Sequence, residues 1–506
     1  MPRYKEVDYS QMLLIPVSLK NQLVQGSLEY AIFHLVENHL DLSDFDSYFK
    51  NDRRGATAYH PKILLKIVLF AYSRGIIGSR SIEKACKENI TFMALSGWST
   101  PDHSTIADFI TKMKVSVLKC FQDVLAICDQ MGLLGGTAFS VDGTKLTSNA
   151  SKEWSGTFED FKKKQEKWQE RIQKLMEKQQ EIDQQKQTET LQEEREKYEK
   201  KILKLQKGLE KMKQFIETNE PKKGFRNNEI LSNITDNESA TMFSSNHGGQ
   251  QGYNVQSLVD EKHQIIVYSE AIGSANDQAN FRPVLEGAKS NMQAIGYKES
   301  YFEGKEIKGD SGYFNEETLN YCEEEKIDAY IPDPLKNKRL EQEGKKEKRK
   351  SKRSKFSRED FRFDEAKQEY ICPNGKRLKR TEKRSKHRNT FHSTYEAKQE
   401  DCCVCPLRGQ CLKTTTTLKK YLSIVVGLVK ETASERMRKK METAEAKKKY
   451  EKRLGGIEPV FGNVRSNKKM DRLTLRGKGK VNIQWLLYGM VHNMEKISNY
   501  GTSLVA

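Results

Sequence analysis

From Pro101 to Pro221 the chain has no intervening proline, and residues 152–220 within that interval are crowded with Glu, Lys and Gln. A stretch so rich in helix formers and free of the strongest helix breaker is constrained to long helices. Its apolar residues say how those helices pair. Tyr198, Ile202, Leu205, Leu209, Met212 and Ile216 follow at steps of 4, 3, 4, 3 and 4, a heptad seam. Phe161, Trp168, Ile172, Leu175 and Ile182 share an earlier heptad phase, which the nine-residue step to Leu191 breaks within the polar run Asp183–Thr190. The pattern predicts an antiparallel helical hairpin over 152–222, inserted into another domain and suited to protein contact rather than chemistry.

Charge bounds the partner. The chain of 506 residues holds 88 Lys+Arg against 70 Asp+Glu, a net +18. That balance fits a polyanion, most economically nucleic acid. Length alone suggests about three domains at roughly 150 residues each. The longest near-apolar run, Ile63–Tyr72, is short and carries Lys66, so no bilayer span is expected. The opening residues lack the apolar core of a signal peptide. Nine cysteines, an odd number, argue against a disulfide scaffold and for a reducing, cytoplasmic setting.

Residues 1–135 read as helical. Leu64, Ile67, Val68, Ala71 and Tyr72 form an i, i+3, i+4 stripe behind Pro61, and a second helix is expected over Ile82–Asn89 after the N-cap types Ser79 and Ser81. Two helices across a Gly-containing turn have the outline of a helix-turn-helix, which simple packed helices share. Farther on, residues 336–417 form a basic, Cys-bearing insert. Eight of the eleven residues from Lys345 to Lys355 are Lys or Arg, read as a phosphate-binding loop. Cys402 and Cys405 make a C-x-x-C with Cys411 after it and Cys372 before it, while His387 and His392 stand with four residues between them. Either the four cysteines or the two histidines with Cys402 and Cys405 would suit structural zinc.

What remains after the inserts are removed has its own order. Thr137–Asp142 reads as a strand ending in an acid. Strands Gly252–Val259 and Gln264–Glu270 follow, then a helix over Asp277–Ala294, a strand Glu306–Gly309 ending at Asp310, a helix Glu316–Glu325 and a strand Ile327–Ile331. A last helix is expected to begin at Glu458-Pro459, with proline in its first turn. The series β-β-β-α-β-α-β-α, with acids at separated points, resembles a ribonuclease H-like domain. Its mixed sheet would occupy 136–151, 223–335 and 418–506, and the all-α residues 1–135 would be a separate DNA-end-binding domain.

Eight motifs carry a closer resemblance: STPDHSTIADF (Ser99–Phe109), VDGTKLTSNAS (Val141–Ser151), NITDNESATM (Asn233–Met242), GYNVQSLVD (Gly252–Asp260), GDSGYF (Gly309–Phe314), CPLRGQC (Cys405–Cys411), EPVFGNVR (Glu458–Arg465) and RGKGKVNIQWLLYGMVHNMEKI (Arg476–Ile497). Taken in order, they resemble the DDE transposases of bacterial insertion sequences. The resemblance implies Asp142, Asp310 and Glu458 as the three catalytic acids, ligands of Mg²⁺ (or Mn²⁺). It implies Tyr450, Arg453 and Arg465 as a supporting Tyr-x2-Arg-x3-Glu-x6-Lys signature, from which this chain departs by one extra residue before Glu458 and by Arg for the final Lys. Asp236 and Asp277 lie in matching motifs without an assigned chemistry. The implied partners are double-stranded DNA, both element ends and target, and a second copy of the chain. A catalytically inactive or domesticated DNA-binding protein is the alternative. No G-x-x-x-x-G-K-S/T loop occurs, so no nucleotide cofactor is expected.

Overall fold

The structure, a computed structural model, describes residues 18–49, 57–184, 189–224, 227–244, 248–336, 356–387, 390–412, 414, 416–428 and 432–501. The chain divides into two compact units. One comprises Met1–Tyr313, Glu324–Tyr330 and Lys448–Ala506, the other Phe314–Glu323 and Ile331–Lys447.

The first unit opens with six helices: α1 (Leu28–Asn38), α2 (Pro61–Ser73), α3 (Ser79–Glu88), α4 (Ile90–Ser96), α5 (His103–Lys112) and α6 (Lys114–Gln130). Pro61 starts α2 where its missing N–H is harmless. From Leu64 to Tyr72 every residue of α2 is buried, and the Lys66 ammonium pairs with Glu37 at 2.7 Å. α3 begins at Ser79, three residues before the expected Ile82, and has no side-chain cap.

Strand β1 (Ala138–Thr147) then enters the sheet, followed by the short β2 (Ser155–Gly156) and the hairpin α7 (Phe158–Asp183) and α8 (Glu189–Thr218). A capping box of Thr157 and Asp160 fixes the start of α7. The two helices pack together, and Phe158, Phe161 and Phe215 form the core at their base. Gly208 lies under Trp168, where a Cβ would overlap the indole, so a residue poorly suited to a helix interior is required there. Strand β3 (Ser232–Asn233) pairs with β2 and closes the hairpin at its root.

The sheet continues with β4 (Ala240–Ser244), β5 (Gly248–Asp260), β6 (Ile265–Ile272), helix α9 (Phe281–Ala294), β7 (Glu306–Gly309) and β8 (Asp328–Tyr330). β5 pairs antiparallel with β1 on one side and with β4 and β6 on the other, while β1, β7 and β8 run parallel. A mixed sheet of this kind, with helices around it, is compatible with a ribonuclease H-like core. One expectation is corrected: β1 does not end at Asp142 but runs five residues further, because Gly143–Thr147 stay paired with Gly252–Gln256 of β5.

The second unit holds α10 (Glu316–Glu324) and a five-stranded antiparallel sheet of β9 (Arg362–Asp364), β10 (Glu369–Ile371), β11 (Arg377–His387), β12 (Thr390–Ala397) and β13 (Tyr421–Leu428). Short helices α11 (Gln399–Cys403) and α12 (Arg408–Cys411) precede β13, and α13 (Ala433–Glu442) follows it. Phe361, Tyr370, Leu378, Tyr395, Ala397, Leu422 and Ile424 give this sheet a core of its own. The stretch read as a basic, Cys-bearing insert thus contains strands of a small antiparallel sheet. The run Lys345–Lys355 lies outside the described residues.

α14 (Ala444–Glu451) and α15 (Arg453–Gly462) lead to the last helix, α16 (Lys478–Tyr500). The expected helix start at Glu458 is corrected as well: α15 begins at Arg453 and Pro459 lies inside it. Proline leaves the carbonyl four residues back without its usual donor. That carbonyl belongs to Gly455 and accepts instead from Gln264 Nε2 at 2.9 Å. α16 is buried along most of its length against β6, α2 and α6, with Tyr488 stacked on Tyr72 at 4.5 Å. Two of its asparagines grip the outer edge of β6. Asn482 exchanges both amide bonds with the backbone of Ala271 (2.7 and 3.1 Å), and Asn493 does so with Ile266 (2.9 and 3.0 Å). An edge strand left open would expose unpaired N–H and C=O groups; here a helix covers them.

Candidate active site

Asp142 and Asp310 meet because of strand register. β1 and β7 are parallel neighbours with Ser140 opposite Lys308 and Val141 opposite Gly309, so the next residue on each strand is an aspartate. Adjacent strands lie about 4.8 Å apart, which places the two acids side by side. Beneath them, Glu261 ties the strands: it accepts from Ser140 Oγ at 2.6 Å and from the buried Lys308 Nζ at 2.5 Å. Gly456 of α15 lies against Ser140 and Glu261, with room for little more than its hydrogen. That close approach brings α15 onto β1.

Arg453 is the result of that approach. It is 6% exposed, and its Nη2 lies 2.6 Å from Asp142 Oδ2. The backbone N–H of Gly143 donates to the other oxygen of Asp142 at 2.8 Å. Burial nevertheless pushes the Asp142 carboxyl up to about 6, against the pull of Arg453 and Gly143, with Asp310 and Asp277 adding repulsion. Arg453 Nε is buried and has no hydrogen-bond partner among the described residues. Tyr450, half-buried, has its hydroxyl held above its ordinary value by burial and by Asp310 and Asp142, against the pull of Arg453.

Asp277 joins the pair through two amides that none of the expectations above had used. On β5, Asn254 and Gln256 alternate with apolar residues and are buried at 1% and 0% exposure. Their amides donate to one oxygen of Asp277, at 2.6 and 2.8 Å. Gln256 also donates to Asn254 and accepts from the hydroxyl of buried Tyr313. Gly312, whose N–H donates to Asp310 at 2.5 Å, separates Asp310 from Asp277. Two buried amides two residues apart in a strand, within GYNVQSLVD, were the available signal for a polar site on that face.

The remaining candidates lie farther out. Glu458 is exposed on α15, and no hydrogen bond or ion pair engages its side chain among the described residues. Arg465 reaches Thr144 Oγ1 at 3.3 Å and Asp471 at 3.6 Å, one turn of chain beyond α15. Carboxylate oxygens are the donors a hard cation takes, and Mg²⁺ is commonly held by one or two of them with substrate phosphate completing the shell. Asp142 and Asp310 fit that description. Among the described residues, however, no group of three or more His, Cys, Asp or Glu side chains stands ready around a metal position.

In the second unit Cys372, Cys402 and Cys411 pack against one core, and the Cys411 thiol is pushed up by burial and by the neighbouring Cys402, Cys372 and Cys405. All four are half-buried and reduced. Of the alternative ligand set with the histidines, His392 sits on β12 five residues before its end and bonds Ser423 Oγ at 3.0 Å. The side chain of His387 lies outside the described residues.

Two family models match the chain. Residues 371–498 match the Transposase DDE domain, a span containing Glu458, Arg453 and the four cysteines, and residues 17–112 match the Transposase domain (DUF772). Both stretches thus match transposase models, and together they support a DDE-type transposase of an insertion sequence. No curated protein and no solved structure matches it.

Proposed function

We propose that the protein binds the terminal inverted repeats of its element and catalyses Mg²⁺- or Mn²⁺-dependent strand cleavage, followed by transfer of the freed 3′-hydroxyl to target DNA. The register that sets Asp142 beside Asp310 carries this reading. These two carboxylates would hold the metal, with Glu458 as the third acid, carried on the helix whose Arg453 bonds Asp142. When bound, the metal supplies a Lewis acid for the phosphodiester and a more acidic nucleophile. Until then Arg453 balances the charge of Asp142, and its partnerless Nε is a donor suited to a phosphate oxygen. Asn254 and Gln256 hold Asp277 in place as positioning residues.

The helices of residues 17–112 would contribute end recognition, and two copies of the chain would hold two ends, working on DNA in the cytoplasm. No helix among the described residues is long and apolar enough to cross a membrane. A cleavage assay on a plasmid carrying the gene with its flanking DNA tests the reading. Wild type with Mg²⁺ should cut at the element's edges, whereas EDTA or Asp142→Ala should abolish the cuts. Salt-sensitive binding without cuts under any divalent metal would favour an inactive DNA-binding derivative instead.

A further inference from the structure

The segment after α15, Arg465–Lys480, carries seven Lys or Arg and one acid, Asp471. It docks on the extension of β1 that lies beyond Asp142. Thr147 and Arg472 form a parallel bridge, Leu473 N donates to Thr147 O at 2.9 Å, and Asn149 Nδ2 donates to Thr474 O at 3.0 Å. Two of its cations are neutralised closely: Lys468 by Glu495 at 2.6 Å and Lys478 by Glu270 at 2.8 Å. Arg472 and Arg476 are different. Both are exposed, and their polar partners are the oxygens of Asn149, at 3.5 and 2.9 Å, so neither guanidinium meets a carboxylate among the described residues. Lys145, exposed on β1 itself, also has no acidic partner there.

Lys145 also lines a cleft. A cavity of about 510 Å³ is lined by Gly143, Thr144, Lys145, Thr147, Arg465 and Asp471, among others, and so starts at the residue after Asp142. Arg472 and Arg476 stand next to that lining rather than in it, Arg472 through its bridge to Thr147. From Asp142 to Thr147 is five residues of strand, about 17 Å, the rise of about five nucleotides in one strand of B-DNA. A cleft that starts beside Asp142, is lined by Lys145 and Arg465 with the single acid Asp471, and has two arginines without carboxylate partners next to it suits a polyanion better than a neutral ligand. Arginine's fork suits phosphate oxygens in particular.

We propose that this cleft is the track for the DNA backbone leading to the scissile phosphate, with Arg472 and Arg476 each contacting one phosphate and Lys145 and Arg465 lining the way to Asp142. The inference rests on the transposase reading and deepens it. Its test is the salt dependence of binding to a short labelled duplex bearing the element's end, measured by fluorescence anisotropy from about 50 to 200 mM salt.

Each phosphate contact contributes about 0.9 to the slope of log K against log salt concentration, so Arg472→Gln/Arg476→Gln should lower the slope by about 2. Arg472→Lys/Arg476→Lys should keep it. Lys197→Gln/Lys200→Gln on α8, where both lysines already pair with glutamates, should leave it unchanged. Melting temperature, followed in parallel, separates a lost contact from a lost fold. An unchanged slope in a folded Gln variant overturns the track while leaving the transposase reading intact. A wild type that binds no DNA overturns both.

Discussion

Gly143 follows Asp142 because a Cβ there would overlap Gln256 Nε2 and lie 2.8 Å from Asn254 Oδ1. Those are the two amides that hold Asp277. Gly143→Ala should therefore destabilise the protein by about 1–3 kcal/mol, the usual cost of overpacking, and weaken metal-dependent cleavage as well. Thermal melts alongside the plasmid assay check both; an alanine variant with wild-type melting and activity would contradict the packing described. Substitution of the acids should act differently. Asp310→Asn should cut the cleavage rate on the order of a hundredfold or more, since even residues outside the ligand shell of a metal cost 10–100-fold. The melting curve of that variant without metal should show no loss, because the variant removes repulsion from Asp142. Asp142 and Asp310 were legible in the sequence as acids next to strand-forming residues. Asp277 was not, because its role depends on two amides that arrive from another strand.

At the level of elements, the misread pieces share a cause. Pro459 looked like a helix start because proline usually marks one, yet Gln264 from the β5–β6 turn satisfies the carbonyl that proline leaves bare. Tertiary contacts of that kind cannot be seen in a local window. The strands of residues 362–397 were hidden by basic composition, which gave no strand signal, although Phe361, Tyr370, Leu378 and Tyr395 supply a core. The sheet gathers four thiols at one end, and bound zinc would have to draw their sulfurs closer. Protein purified without chelator should contain about one equivalent by metal analysis; none would leave the cysteines as packed thiols.

α16 allows a sharper test. His492 is fully buried, accepts from Asn463 at 3.1 Å, donates to Gln264 O at 2.8 Å, and burial holds its imidazole down at about 3 instead of 6.5. Between those values the unfolded chain binds a proton that the folded chain refuses. Stability should thus fall as pH drops from about 6.5 toward 3, by about 1.4 kcal/mol per pH unit from this residue. Denaturant titrations should show a flatter profile for His492→Gln; parallel profiles would refute the assignment.

For the molecule as a whole, the pairing of α7 with α8 follows the heptads of residues 152–220, because helix pairing is written locally, in period and phase. The partnership between the N-terminal helices and the sheet was invisible by comparison. It runs through α16, far along the chain from the N-terminal helices, where Tyr488 meets Tyr72. If the hairpin helps to join two copies, deleting residues 155–218 should lower the mass seen by light scattering on DNA, and an unchanged mass would remove it from the assembly.

The asparagines of α16 have a consequence for how such a gene decays. A frameshift or early stop before residue 478 would strip Asn482 and Asn493 from β6 and uncover a hydrogen-bonding margin along with the apolar faces of α2 and α6. Such a product would carry an open strand edge and apolar helix faces into solvent together, the combination that makes a chain aggregate rather than persist as a shortened, folded fragment.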